Sequence, residues 1–163
     1  MLAIIGAAVL VIIAYLFAEK RKEEIKLNTA KIPEQVRQWE SLVVAASREF
    51  DVPATIAMSV LWVESAGSAN ARGSAGEIGL MQLKKIAVND LAIQGFGKFT
   101  GWQTDPQQNI RAGVAYLRLQ YNRTGNWFDA VEAYNQGFEG RKKNPEKAQA
   151  YLNEVREKEK FFG

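Results

Sequence analysis

The chain has 163 residues, enough for one domain with a real core, and Lys and Arg (21) outnumber Asp and Glu (18) for a net charge of +3. It contains no histidine and no cysteine, which excludes Ser-His-Asp and Cys-His nucleophilic catalysis, imidazole or thiolate metal sites and a disulfide framework. Chemistry is left to carboxylates, amides, hydroxyls and lysine, and no metal or cofactor is expected.

The first element is apolar. Leu2 to Ala18 (LAIIGAAVLVIIAYLFA) carries no charge, and a helix of that length is roughly 26 Å long, enough to cross the hydrocarbon of a bilayer. A cleaved signal peptide would need a basic start and a small-x-small site, and a buried core helix would show a polar face. Residues 1–18 are therefore read as a transmembrane anchor, with the lipid bilayer as its partner. Residues 19–32 (EKRKEEIKLNTAKI from Glu19) read as a charged juxtamembrane linker. Lys20, Arg21, Lys22, Lys26 and Lys31 all follow the span, so the positive-inside rule places the rest of the chain on the cytoplasmic side.

From Pro33 onward the pattern is helical. Val36, Trp39, Val43, Ala46 and Phe50 recur at three- and four-residue steps. Asp51-Val52-Pro53 ends that helix and starts another, with Pro53 near its first position. The second helix runs through Ile56, Val60 and Leu61 to Trp62-Val63-Glu64-Ser65, and a Gly- and Ser-rich loop, Gly67 to Gly76, follows. Asp105-Pro106 caps a helix carrying Ile110, Val114 and Leu117. Thr124-Gly125-Asn126 turns into Trp127 to Tyr134, and Pro145 opens a last helix through Tyr151, Leu152 and Val155. Strand-like alternation is confined to Phe96 to Trp102. Residues 33–163 are expected to form one compact, mainly α domain.

Glu64 is out of place in this pattern. It shares a helix face with Ala57, Val60 and Leu61, where desolvation raises a carboxyl above its usual pKa of about 4.3. A carboxylic acid still protonated near neutrality can act as general acid on a glycosidic oxygen. A helix end pointing to solvent accounts for the spacing equally well.

The residues that follow carry a resemblance. Glu64-Ser65, Asn70-Ala71-Arg72-Gly73-Ser74-Ala75-Gly76, Gly79-Leu80-Met81-Gln82, Asp105 to Ile110 with Ala112 to Leu117, and Ala133-Tyr134-Asn135-Gln136-Gly137 before Tyr151 form an ordered set. In order and spacing they are similar to the soluble lytic transglycosylase (SLT) domain, which has a lysozyme-like fold related to goose-type lysozyme. The resemblance runs from about Pro33 to Val155. It implies cleavage of the β-1,4 bond between N-acetylmuramic acid and N-acetylglucosamine, which makes peptidoglycan glycan strands the expected partner. It assigns catalysis to Glu64 alone, as acid to the leaving oxygen and then base to the C6 hydroxyl that closes a 1,6-anhydro ring.

Substrate-binding roles also carry over. Ser65 is expected beside the acetamido and peptide groups, and Met81 and Gln82 along the cleft against a sugar. Tyr134 and Asn135 belong to the block beside the cleft, and the Tyr151 hydroxyl approaches the catalytic carboxyl. Plainer roles stand next to these: a helix-end hydroxyl for Ser65, a core gap-filler for Met81, a core aromatic for Tyr151.

Two positions depart from the family pattern. Glu77, in Gly76-Glu77-Ile78-Gly79, is read as an exposed, solvated loop residue; turned inward, it would be a second carboxylate able to hold a water for lysozyme-type hydrolysis. Lys84-Lys85 stands where an uncharged turn is usual. The basic cluster near the C-terminus (Arg141, Lys142, Lys143, Lys147, Arg156, Lys158, Lys160) is interleaved with Glu139, Glu146, Glu154, Glu157 and Glu159, as on a solvated helix, so no nucleic-acid partner is expected. A wall-cutting enzyme with this basic flank suits a phage virion membrane, with virion proteins as neighbours. The alternatives are a wall-remodelling enzyme of a secretion or envelope-assembly complex, a lysozyme-type hydrolase, and a non-catalytic peptidoglycan-binding membrane protein.

Overall fold

A computed structural model describes Ile12, Ile13, Tyr15, Leu16 and residues 31–162. The anchor reading of 1–18 and the linker reading of 19–32 fall almost wholly outside the described residues; among those described, no helix is long and apolar enough to cross a membrane. Ile12, Ile13, Tyr15 and Leu16 are helical and exposed. Ile32, at the end of the expected linker, is buried in the core.

The first periodic stretch folds as two helices, α1 (Glu34–Arg37) and α2 (Glu40–Phe50). Between them the Trp39 indole donates a hydrogen bond to the Gly67 carbonyl at 2.9 Å. Gly67, at φ +82°, lies so close to the chain that a Cβ there would meet the Gln35 carbonyl oxygen at 2.0 Å. Asp51, in the left-handed region, ends α2, and Pro53 caps α3 (Ala54–Ser65) as its spacing predicts. Residues Ile56 to Leu61 are buried without interruption. A helix apolar on every side belongs in the middle of a domain, and α3 packs on both α2 and the last helix.

α4 (Lys85–Ile93) is a helix that the sequence reading leaves unassigned, and Lys84 is its N-cap rather than part of a turn. Asp105 caps α5 (Pro106–Thr124) by accepting a hydrogen bond from Gln107 N at 2.9 Å. Asn126 does the same for α6 (Trp127–Gln136) through Asp129 N at 2.9 Å. These side chains satisfy amides that the first turn of a helix leaves unpaired. After the short α7 (Gly140–Lys143), Pro145 opens α8 (Pro145–Glu159), and Phe161 and Phe162 fold back onto Trp62 with ring centroids 5.4 and 6.0 Å apart. The 19-residue α5 is the axis: α2, α4 and α6 pack around it, and α8 closes the domain across α3 and α6.

No strand forms at Phe96 to Trp102. Phe96 and Phe99 pack on Phe50, with centroids 6.3 and 6.2 Å away, and Gly97 and Gly101 adopt positive φ. The alternation is that of aromatic anchors in a loop, and the positive-φ glycines break any extended run. Pairing of extended segments among the described residues is limited to single bridges, Arg72 to Ile78 and Ile78 to Leu83.

Candidate active site

Glu64 emerges from the core in the last turn of α3. The buried run from Ile56 to Leu61 precedes it, and from Trp62 to Ser65 the helix is only partly buried. From α8, the buried Tyr151 hydroxyl donates a hydrogen bond to Glu64 Oε1 at 2.6 Å. Burial is the main influence on the Glu64 carboxyl and pushes it up to about 7; the Tyr151 hydrogen bond pulls the other way, and the negative charges of Glu77 and Glu154 add to the rise. Burial and the neighbouring Glu64 also push the Tyr134 and Tyr151 hydroxyls well above their ordinary value, so both remain donors.

Glu64 opens into a cleft of about 440 Å³, whose walls include Glu77, Gln82, Lys84, Tyr134 and Asn135. Its floor is held by one amide. Asn109, in the first turns of α5 and 2% exposed, accepts a hydrogen bond from Met81 N at 2.9 Å. Its Nδ2 donates to the Ile78 and Trp102 carbonyls, both at 3.0 Å. Gly79 at φ +80° packs directly on this amide, where a Cβ would stand 2.5 Å from Nδ2. From α6, Tyr134 O–H donates to the Met81 carbonyl at 2.7 Å, and Tyr116 packs edge-on against Tyr134 with centroids 5.4 Å apart. The loop therefore hangs from α5 and α6 by its own backbone.

The structure brings Glu64, Gln82, Tyr134, Asn135 and Tyr151 together around the cleft, Tyr151 through its contact with Glu64. It places two expected site residues elsewhere. Met81 is fully buried and packs against Gly113, where a Cβ would lie 2.5 Å from Met81 Cβ; it supports the floor and is absent from the cleft wall. Ser65 is absent from the cleft wall: its hydroxyl donates to the Leu61 carbonyl and accepts from Gly67 N, both at 3.2 Å, so it finishes the helix end. Glu77 also departs from expectation, since it lines the cleft and pairs with Lys84 instead of standing free in solvent. Asn109 and Tyr116 were not singled out from the sequence, and Lys84 was noted there only as a departure from the family pattern. For Asn109 a signal exists, because an amide on the buried stripe of α5, next to Ile110, must find polar partners.

Residues 41–156 match the family model described as the transglycosylase SLT domain. The "X polypeptide" of Escherichia coli is 32% identical over 68% of this chain and 67% of its own length. A "Transglycosylase" of enterobacteria phage PRD1 is 31% identical over 61% of this chain, and the match spans 35% of that protein. In fold, the chain is similar to an inactive mutant of the lytic transglycosylase Slt from Pseudomonas aeruginosa. That match has a TM-score of 0.55 at 23% identity and covers 74% of this chain and 21% of the larger one. The SLT match extends over most of the domain, from the first turns of α2 to the last of α8; the chain belongs to the transglycosylase SLT family and is a peptidoglycan lytic transglycosylase.

Proposed function

We propose that this chain cuts the β-1,4 bond between N-acetylmuramic acid and N-acetylglucosamine, with Glu64 alone carrying both proton transfers. The supporting observation is Glu64 itself: a carboxyl that burial holds at about 7, bonded to a buried tyrosine hydroxyl and open to a cleft. Protonated Glu64 gives its proton to the glycosidic oxygen as the bond from that oxygen to C1 breaks. The carboxylate so formed takes the proton of the muramic C6 hydroxyl while that oxygen bonds to C1 of the same sugar. This closes the 1,6-anhydro ring, restores the acid and consumes no water. The attacker belongs to the substrate, so proximity replaces a second catalytic carboxylate. Tyr151 stabilises the carboxylate that exists between the two transfers. Gln82 and Asn135 supply amides for the acetamido and hydroxyl groups of the glycan.

Incubated with purified peptidoglycan, the full chain is expected to release 1,6-anhydro-muropeptides, read by mass spectrometry, at a rate that added EDTA leaves unchanged. Products with reducing ends alone would refute the transglycosylase reaction and indicate hydrolysis. Because the first transfer needs protonated Glu64, kcat/KM is expected to fall as pH rises through about 7. Tyr151→Phe removes a hydrogen bond that favours the charged form. That limb should therefore move to higher pH, with kcat reduced about tenfold, as pH–rate profiles will show.

We further infer that residues 1–18 anchor the catalytic domain, residues 33–163, to a virion membrane through the linker 19–32, for local penetration of the cell wall. The charge-free run from Leu2 to Ala18 and the similarity to a phage transglycosylase support this. Detection of the chain in purified virions is the expected result. Its recovery only from the host envelope would point to a wall-opening enzyme of an envelope-assembly system.

A further inference from the structure

An ion pair at the cleft is left unused by the reaction above. Glu77 and Lys84 both line the cleft with Glu64. Lys84 Nζ lies 2.9 Å from Glu77 Oε1, and Glu77 Oε2 accepts a hydrogen bond from Ala75 N at 3.0 Å. Each carboxylate oxygen therefore has its own donor. The backbone beneath is equally fixed: Ile78 and Leu83 exchange hydrogen bonds at 3.0 and 3.1 Å, and Glu77 O accepts from Gly73 N at 2.9 Å. That bridge sets Glu77 and Lys84, the next residues outward on each side, opposite each other. At Gly73 a Cβ would meet Glu77 Cβ at 2.8 Å, so the bare glycine makes room for the folded-back carboxylate.

We propose that Glu77 and Lys84 are positioning residues for the proton chemistry of Glu64: Glu77 fixes a carboxylate beside the acid, and Lys84 sets how much of that charge the acid feels. The inference rests on the reading of Glu64 as the holder of the transferred proton. The hydrogen bond and charge of Lys84 keep Glu77 below the usual carboxylate range, hence ionised, and Glu77 in turn adds to the rise at Glu64. The other titratable groups facing Glu64 are Tyr151 and Glu154 from α8 and Tyr134 from α6. All three stay in place when the pair is altered.

The signs of the expected effects differ between the two partners. Glu77→Gln removes a negative charge, so the basic limb of the kcat/KM profile moves to lower pH. Lys84→Met strips Glu77 of its counter-charge, so the limb moves to higher pH. The double variant lies between the two single variants, because the opposed contributions of the two charges add at Glu64, and Lys84→Arg keeps the parent profile. Each of the two opposed shifts is expected to be at least about 0.3 pH unit, the scale of one charge altered in a partly solvated site. A structural defect would not displace the limb in opposite directions.

The experiment measures these profiles on the full chain, together with a ¹³C NMR titration of the Glu64 carboxyl. The titration needs no turnover and serves any variant too weak for kinetics; Lys84→Gln replaces Lys84→Met if the latter does not fold. Shifts of one common sign, or none above 0.3 unit, would overturn the inference. Opposed NMR shifts in a chain that releases no anhydro product would uphold it and refute the function proposed above.

Discussion

Glu64→Gln is expected to lower peptidoglycan turnover by at least about a hundredfold while leaving the fold intact. The amide matches the acid in size and still accepts the Tyr151 hydrogen bond, but it has no proton of suitable acidity to give. The same substitution should change stability with a definite sign. The Glu64 carboxyl is raised from an ordinary 4.5 to about 7 in the folded chain. A group so raised supports the fold fully below about 4.5, and that support is lost as pH rises through about 7. The parent should therefore lose about 3 kcal/mol between pH 4 and pH 8 from this group, and the Gln variant should not. Denaturant melts at the two pH values read the difference. Unchanged turnover would mean that another group is the acid, and an unchanged pH dependence would mean that Glu64 is solvated in the folded chain.

Asn109→Ala is expected to cost about 3 kcal/mol, or about 10 °C in Tm for a domain of this size. One side chain serves Met81 N and the Ile78 and Trp102 carbonyls, at 2.9, 3.0 and 3.0 Å. Alanine leaves those backbone groups without their partner. The activity loss should exceed what unfolding explains, because Tyr134 and the loop bearing Gln82 are aligned on the Met81 carbonyl. Circular dichroism melts and kcat measured well below Tm separate the two effects. A loss under about 1 kcal/mol would show that the loop is held by its own turn bonds.

The helices were legible where side chains act locally. Asp105 and Asn126 cap the amides of their own first turns, and Pro53 and Pro145 sit where their fixed φ and missing N–H do no harm. Glu64 and Tyr151 were also found, because an acid on an apolar face and an ordered set of blocks are visible in one dimension. Met81 and Ser65 were legible as positions but not as contacts, since whether a side chain in a cleft-forming block faces inward or outward depends on the backbone of the loop. Glu77 was misread for the same reason. Its neighbours Gly73 to Gly76 look free in sequence, yet the loop is closed by hydrogen bonds from Gly73 N to Glu77 O and from Gly79 N to Ala71 O, both at 2.9 Å. α4 was missed because Lys84-Lys85 suggests a solvated turn; an N-cap without a side-chain bond leaves no local signal.

The amino-acid sequence by itself determined the helical class, the helix boundaries set by caps and prolines, the exclusion of thiol and imidazole chemistry, and the one acid on an apolar face. These follow from interactions within a few residues or from what the chain lacks. The tertiary structure alone decided that Asn109 holds the cleft floor and that Lys84 neutralises Glu77, and it made the expected approach of Tyr151 to Glu64, 87 positions earlier, a hydrogen bond. The bonds from Met81 to Asn109 and from Tyr151 to Glu64 are 2.9 and 2.6 Å long and join elements distant along the chain. Such distances exist only once α3, α5, α6 and α8 have packed.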